Sequence, residues 1–382
     1  TVTGALNNQA GSITAGTLTA GSTVKNADAM TVTGTFTAAD TVTNAKSITA
    51  GTFNFQDFVN NANAVLKSTD ADSVTGSSFG TTDNKGEINL AGIANFGAVT
   101  NAGTIALAGA GTMASLKQIA GTTTAKDALT LQEDSQVGGI LAVSNKLTTA
   151  GLLVNTGTLT AGSADTFRLM NHSDMNVTGL LHATSNTWNN KNITAGVLNL
   201  AGVTTKIDSL TKSTDAAQKS TFGATTNAGT IDLAGASAFG AVTNTGTLKL
   251  AKDATLASLN QTAGNVTAGN AAVTIAGLLD NAAAVTAKSL SFNNAASKND
   301  AGGVITATAG VTTGSDFMNA GTINAGTAFN VQAGVSTLKG TVTANALNVA
   351  AGATVKNLSA TNKFKTLAAK AGSFIENNVS MA

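Results

Sequence analysis

Val99-Thr100-Asn101-Ala102-Gly103-Thr104-Ile105-Ala106-Leu107-Ala108-Gly109 is the stretch on which the fold turns. Its centre is Asn-x-Gly, then Thr or Glu, then Ile or Leu. That pattern occurs six times, starting at Asn84, Asn101, Asn155, Asn227, Asn244 and Asn319. Successive starts lie 17, 54, 72, 17 and 75 residues apart, close to one, three, four, one and four units of about 18. A fixed short period marks a solenoid, in which each unit buries its apolar face only against its neighbours. Asn and Gly tolerate left-handed backbone, so Asn-x-Gly reads as a corner. Thr104-Ile105-Ala106-Leu107 then alternates with the period of a strand that has one face inward. Ile105 and Leu107 are expected in the core, Thr104 and Ala106 outside.

The fold class expected is therefore all-β: a single-stranded parallel β-helix with coils of about 18 residues. About 21 coils at roughly 4.8 Å each would make a rod on the order of 100 Å long. The chain has no Pro, as a ladder that uses every N–H requires. A larger duplication lies above the short repeat. Residues 84–121 and 227–264 align without gaps at an offset of 143, with 23 of 38 positions identical. The match reaches back through Phe79-Gly80 and Phe222-Gly223 to Lys67 and Lys212, giving blocks 67–121 and 212–264. No linker separates them, so residues 1–355 read as one continuous solenoid. Residues 356–382 depart from the pattern, gathering Lys356, Lys363, Lys365 and Lys370 around Leu358, Phe364 and Leu367. They read as a cap or docking segment, in part helical. Thr1-Val2-Thr3-Gly4 already belongs to the repeat, so the first coil is expected to present an open edge.

Composition bounds the function. Hydrophobic residues are 42% of the 382, charged residues 11%, aromatics 4%, and the net charge is +1. Disorder would need lower hydrophobicity and higher charge. Nucleic acid and anionic membrane surfaces would need a basic patch, so neither is expected as a partner. No apolar run reaches the length of a membrane-spanning helix. With no Cys there are no disulfides or thiolate metal sites, and no cofactor is expected.

One neighbourhood is chemically distinct. The only Arg (Arg168), the only Trp (Trp188) and both His (His172 and His182) fall within 21 residues, with Asp165 and Asp174 close by. Arg168, His172, Asp174, His182 and Trp188 form the candidate ligand-binding patch. In it Trp188 would stack on a sugar ring, and Arg168 or Asp174 would bond its hydroxyls. The bland reading is an irregular coil with one larger core residue. No third ligand stands at metal spacing, so no metal site is expected, and no catalytic residues are assigned. Asp70 with Asp72 and Glu133 with Asp134 read as solvated loops rather than paired catalytic or calcium-binding carboxylates. Thr-x-Thr triplets recur at Thr1, Thr17, Thr31, Thr35, Thr41 and Thr341, the first five at spacings of 16, 14, 4 and 6 that are too uneven for one flat ice-binding face. Strand propensity accounts for them.

The Val99–Gly109 unit, with its Leu-x-Asn-x-Gly-x-Ile rhythm, resembles the repeats of bacterial autotransporter passengers and filamentous-haemagglutinin-like adhesins. The resemblance implies a right-handed β-helix, exported across the outer membrane to the cell surface or medium. It implies roles in attachment, aggregation, biofilm or matrix, with a host surface, a neighbouring cell or glycans as partner. The sequence shows no carboxy-terminal membrane barrel and no secretion domain, which reads as a processed passenger, a fragment or a stand-alone subunit. The leading expectation is a non-catalytic adhesin or scaffold. A subunit stacking end to end on its own copies into an extracellular filament is the first alternative. A polysaccharide-acting β-helix enzyme is the second, disfavoured by a single Arg and scattered Lys.

Overall fold

Two neighbouring strands show how one coil is made. Ala94–Asn101 buries Ala94 and Phe96, slips phase at Gly97, then buries Val99 and Asn101. Thr104–Leu107 buries Ile105 and Leu107 and leaves Thr104 outside, as the alternation predicts. The phase slip is a bend, so a coil has three inward-facing segments. At the bend Gly97 lies on the backbone of Gly80, where an added Cβ would come within 2.9 Å of the Gly80 carbonyl carbon. The next coils repeat the scheme in parallel register: Phe96 pairs with Phe79 and Met113, and Ile105 with Ile88 and Thr123.

This is a computed structural model, and it describes residues 1–72, 74–293 and 296–378. Among the described residues the regular structure is all strand, stacked in parallel as a β-solenoid of about 20 turns of roughly 18 residues. Packing divides the chain into two units, Thr1–Thr184 with Lys191–Ile193 and Ser185–Asn190 with Thr194–Ala382. The duplicated blocks fall one in each. In the first unit Phe79 and Phe96 stack with ring centroids 4.8 Å apart and planes 12° apart. In the second, Phe222 and Phe239 stack at 4.6 Å and 10°. The loops of both blocks match too: Asp70 accepts the N–H of Asp72 at 3.0 Å, and Asp215 that of Ala217 at 2.8 Å.

The Asn-x-Gly corner is confirmed, but for a different reason from the one expected. None of the six motif Asn or Gly residues has left-handed backbone. The motif Asn ends its strand with its side chain buried in the core. There it joins a ladder running from coil to coil. Asn8 donates to Asn26 at 2.7 Å, Asn26 to Asn44 at 3.0 Å, Asn60 to Asn84 at 2.9 Å and Asn84 to Asn101 at 2.8 Å. In the second unit Asn281 donates to Asn299 and Asn299 to Asn319, both at 2.7 Å. The same amide nitrogen also reaches a carbonyl of the next segment, as Asn84 does to Thr104 at 3.0 Å. Turn carbonyls that would otherwise be buried unsatisfied are thereby paired. The motif Gly is needed for close approach: a Cβ on Gly103 would strike the carbonyl oxygen of Gly86, and one on Gly246 that of Gly229.

The expected helical character of residues 356–382 gives way to strand. Lys363–Ala369 pairs Phe364 with Ala344 and Leu367 with Leu347, and Phe374–Asn377 pairs Ile375 with Val355. The ladder groups of the preceding coil take this segment as further strand, whatever its helix propensity. Residues 379–382 of the expected cap lie outside the described residues. Three of the Thr triplets fall on one long strand, Ala29–Asn44, but register shifts on either side of Thr35-Phe36-Thr37 turn them to different faces. They make no single flat array.

Candidate functional site

The expected patch is distributed rather than gathered. Arg168 and Asp165 both lie in Thr158–Asn171, but a register shift separates them, placing Arg168 opposite Leu152 and Asp165 opposite Thr148. Arg168 is exposed there. His172 follows the buried ladder residue Asn171 at the next corner, its N–H held by the Asn155 carbonyl at 2.8 Å. Asp174 starts the following segment and accepts the side-chain amide of Asn192 at 2.9 Å.

His182 forms the first real cluster. Its coil stacks it directly on Asp165, and Nδ1 lies 3.0 Å from Asp165 Oδ1. The other carboxylate oxygen takes Lys146 Nζ at 3.3 Å. Lys146, Asp165 and His182 thus line up across three coils, with Asp165 between two nitrogen donors.

Trp188 belongs to the second unit. Thr187–Asn189 pairs with Ile193–Ile207 so that Trp188 stands opposite Lys206. The indole N–H donates to Asp208 Oδ2 at 2.8 Å, Lys206 Nζ bonds the same oxygen at 2.7 Å, and that ammonium sits 4.7 Å from the ring centroid. The bond from Lys206 is the main reason the Asp208 carboxyl ionises below its ordinary range, with the Trp188 bond adding to it against a desolvation cost. One face of the indole is therefore occupied by a cation–π contact. Lys206 and Asp208 went unnoticed in the sequence because they lie 18 and 20 residues downstream. Adding one coil length to Trp188 points to both.

A feature of larger extent runs along each unit. In the first, an outward column passes through Thr19, Thr37 and Asn54, then Ser78, Asn95 and Thr112, then Thr130 and Thr148, ending at Asp165 and His182. None of these is buried. In the second, the matching column runs through Thr255, Thr274, Ser291, Thr312, Asn330 and Asn348. Part of it is bonded to itself: Ser291 Oγ lies 3.3 Å from Thr274 Oγ1, Asn330 donates to Thr312 at 3.2 Å and Asn348 to Asn330 at 2.7 Å. Such a column sets a hydroxyl or amide on the surface about every 4.8 Å. It can hydrogen-bond a repeating polar partner many times over, each contact weak. No family model, curated protein or solved structure matches this chain.

Proposed function

We propose that this chain is a non-catalytic adhesin or scaffold of the bacterial surface, a β-helical support that presents its lateral faces to a neighbouring cell, a host surface or their glycans. The observation that carries the reading is the outward polar column, kept in register through ten coils of the first unit despite uneven coil lengths in the sequence. A core needs only its inward positions specified, so sustained Thr, Ser and Asn outside it suit a surface built for repeated contact. A net charge of +1 gives the chain no strong overall field to steer a partner, so recognition falls to local contacts.

Beads carrying the purified chain, passed over bacterial and epithelial cell layers under flow, test this reading. Retention well above albumin-coated beads, with no new reducing ends or unsaturated uronates released from added polysaccharides, is the expected result. Release of such products at enzymatic rates, or no retention on any surface, would overturn it.

A further inference from the structure

The second unit carries a groove of about 650 Å³ that crosses Val304–Thr313, Thr322–Val331, Thr341–Val349 and Lys363–Ala369. Ala307, Ala325 and Ala344 stack in register at the bend of three successive coils beneath the groove, each of them buried. Phe364 continues that row. Beside it runs a second row in register: Thr306, Asn324, Thr343 and Lys363.

These four side chains differ from the self-bonded column of Thr312, Asn330 and Asn348 on the same coils. Among the described residues, Thr306, Asn324 and Thr343 make no side-chain hydrogen bond, and Lys363 and Lys365 make no ion pair. The groove therefore offers a hydroxyl, an amide, a hydroxyl and an ammonium, one per coil at about 4.8 Å, all with bonding capacity to spare. A volume of this size lies within the roughly 300–1,000 Å³ of ligand sites.

We infer that this groove binds an elongated acidic glycan, its chain lying along the coil stack and its carboxylates or sulfates at the Lys363 and Lys365 end. Thr hydroxyls and the Asn amide both donate and accept, which matches sugar hydroxyls that do the same. Lysine only donates, and carries charge, which calls for an anion. The spacing of one polar group per coil is of the order of a pyranose ring's length, so successive sugars meet successive coils. A peptide fits less well. The strands lining the groove already spend their N–H and C=O groups on the coils above and below, leaving no edge for an added strand. The inference rests on the reading of the chain as a binding scaffold and assigns one of its ligands.

Isothermal titration of the full chain with a galacturonate hexamer, its methyl ester, a sulfated glycosaminoglycan hexamer and hexaglutamate tests it. At least one acidic sugar is expected to bind, with the neutral ester weaker by about tenfold or more and affinity falling as salt rises. Lys363→Gln combined with Lys365→Gln should cost about tenfold, and Thr343→Val a smaller factor, with thermal melting unchanged because all three positions are on the surface. Whether the uronate or the sulfated sugar binds identifies the acid. No binding of either, equal binding of hexaglutamate or of the ester, or variants that bind as the wild type does would overturn the inference. Bead retention separates the two proposals: cells still held by a chain that ignores acidic sugars would spare the scaffold reading and sink the groove.

Discussion

Asn299 illustrates what a single residue contributes here. Its amide accepts from Asn281 and donates to Asn319, both at 2.7 Å, with no exposure to solvent. Asn299→Ala removes both bonds, strips the Gly303 and Thr322 carbonyls of their shared amide donor and leaves Asn319 Oδ1 buried without its donor, at a cost of about 2–3 kcal/mol. Amide hydrogen exchange around Thr322 and Val304 should accelerate accordingly, while distant coils keep their protection. Trp188 gives a second residue-scale test because it is the only Trp in the chain. Asp208 ionises below its ordinary value of 3.8, so the stability it adds is full above that value and is lost as pH falls through the lowered one. Indole fluorescence is therefore expected to stay constant from neutrality to about pH 4 and to shift below it. Asp208→Asn should abolish that acid transition; an unchanged profile would mean another group controls the indole.

At the scale of the element, a coil is a thin layer whose apolar side chains are covered only by the coils next to it. Phe96 lies between Phe79 and Met113, and Phe239 between Phe222 and Leu256. Phe→Ala at a buried aromatic costs about 3–5 kcal/mol, the spread reflecting how far the surroundings collapse. The two sites have near-identical stacking and the same flanking bends at Gly97 and Gly240. Phe96→Ala and Phe239→Ala should therefore lower the thermal midpoint by closely similar amounts in separate variants. A large difference would show that the duplicated blocks no longer share one packing scheme. Where one corner glycine lies directly on another, as Gly103 on Gly86 and Gly246 on Gly229, the contact fixes Gly at the upper position, while strand positions tolerate exchange. A strand residue can be exchanged for another of like shape, but a Cβ against a backbone carbonyl has nowhere to go.

For the molecule as a whole, stability is close to a sum of coil and stacking terms. Deleting residues 228–244 removes 17 residues, the Asn227-to-Asn244 coil offset, and joins Asn227 to Thr245-Gly246 with the ladder position preserved. That variant should keep a cooperative melt and its strand-type circular dichroism. Removing only residues 228–235 breaks the register and should abolish both for the coils around it. Such additivity was legible in advance: the spacing of the six Asn-x-Gly copies set the coil length, and Thr104-Ile105-Ala106-Leu107 showed which side chains point inward. Both are local patterns that survive without knowledge of neighbours, because strand alternation is a property of the backbone itself. The roles of Asn and Gly in that motif were not legible. Whether Asn101 takes a left-handed turn or a buried ladder position depends on Asn84 stacking directly beneath it, 17 residues away in sequence. Arg168, His172, Asp174, His182 and Trp188 met the same limit, since closeness along the chain says nothing about which face of a bent strand each occupies. The amino-acid sequence alone determined the all-β repeat and its coil length, since each coil repeats the same inward pattern. Only the tertiary structure decided which polar side chains share a column, because small differences in coil length shift the register, and register alone puts Lys206 on Trp188 and Thr343 beside Lys363.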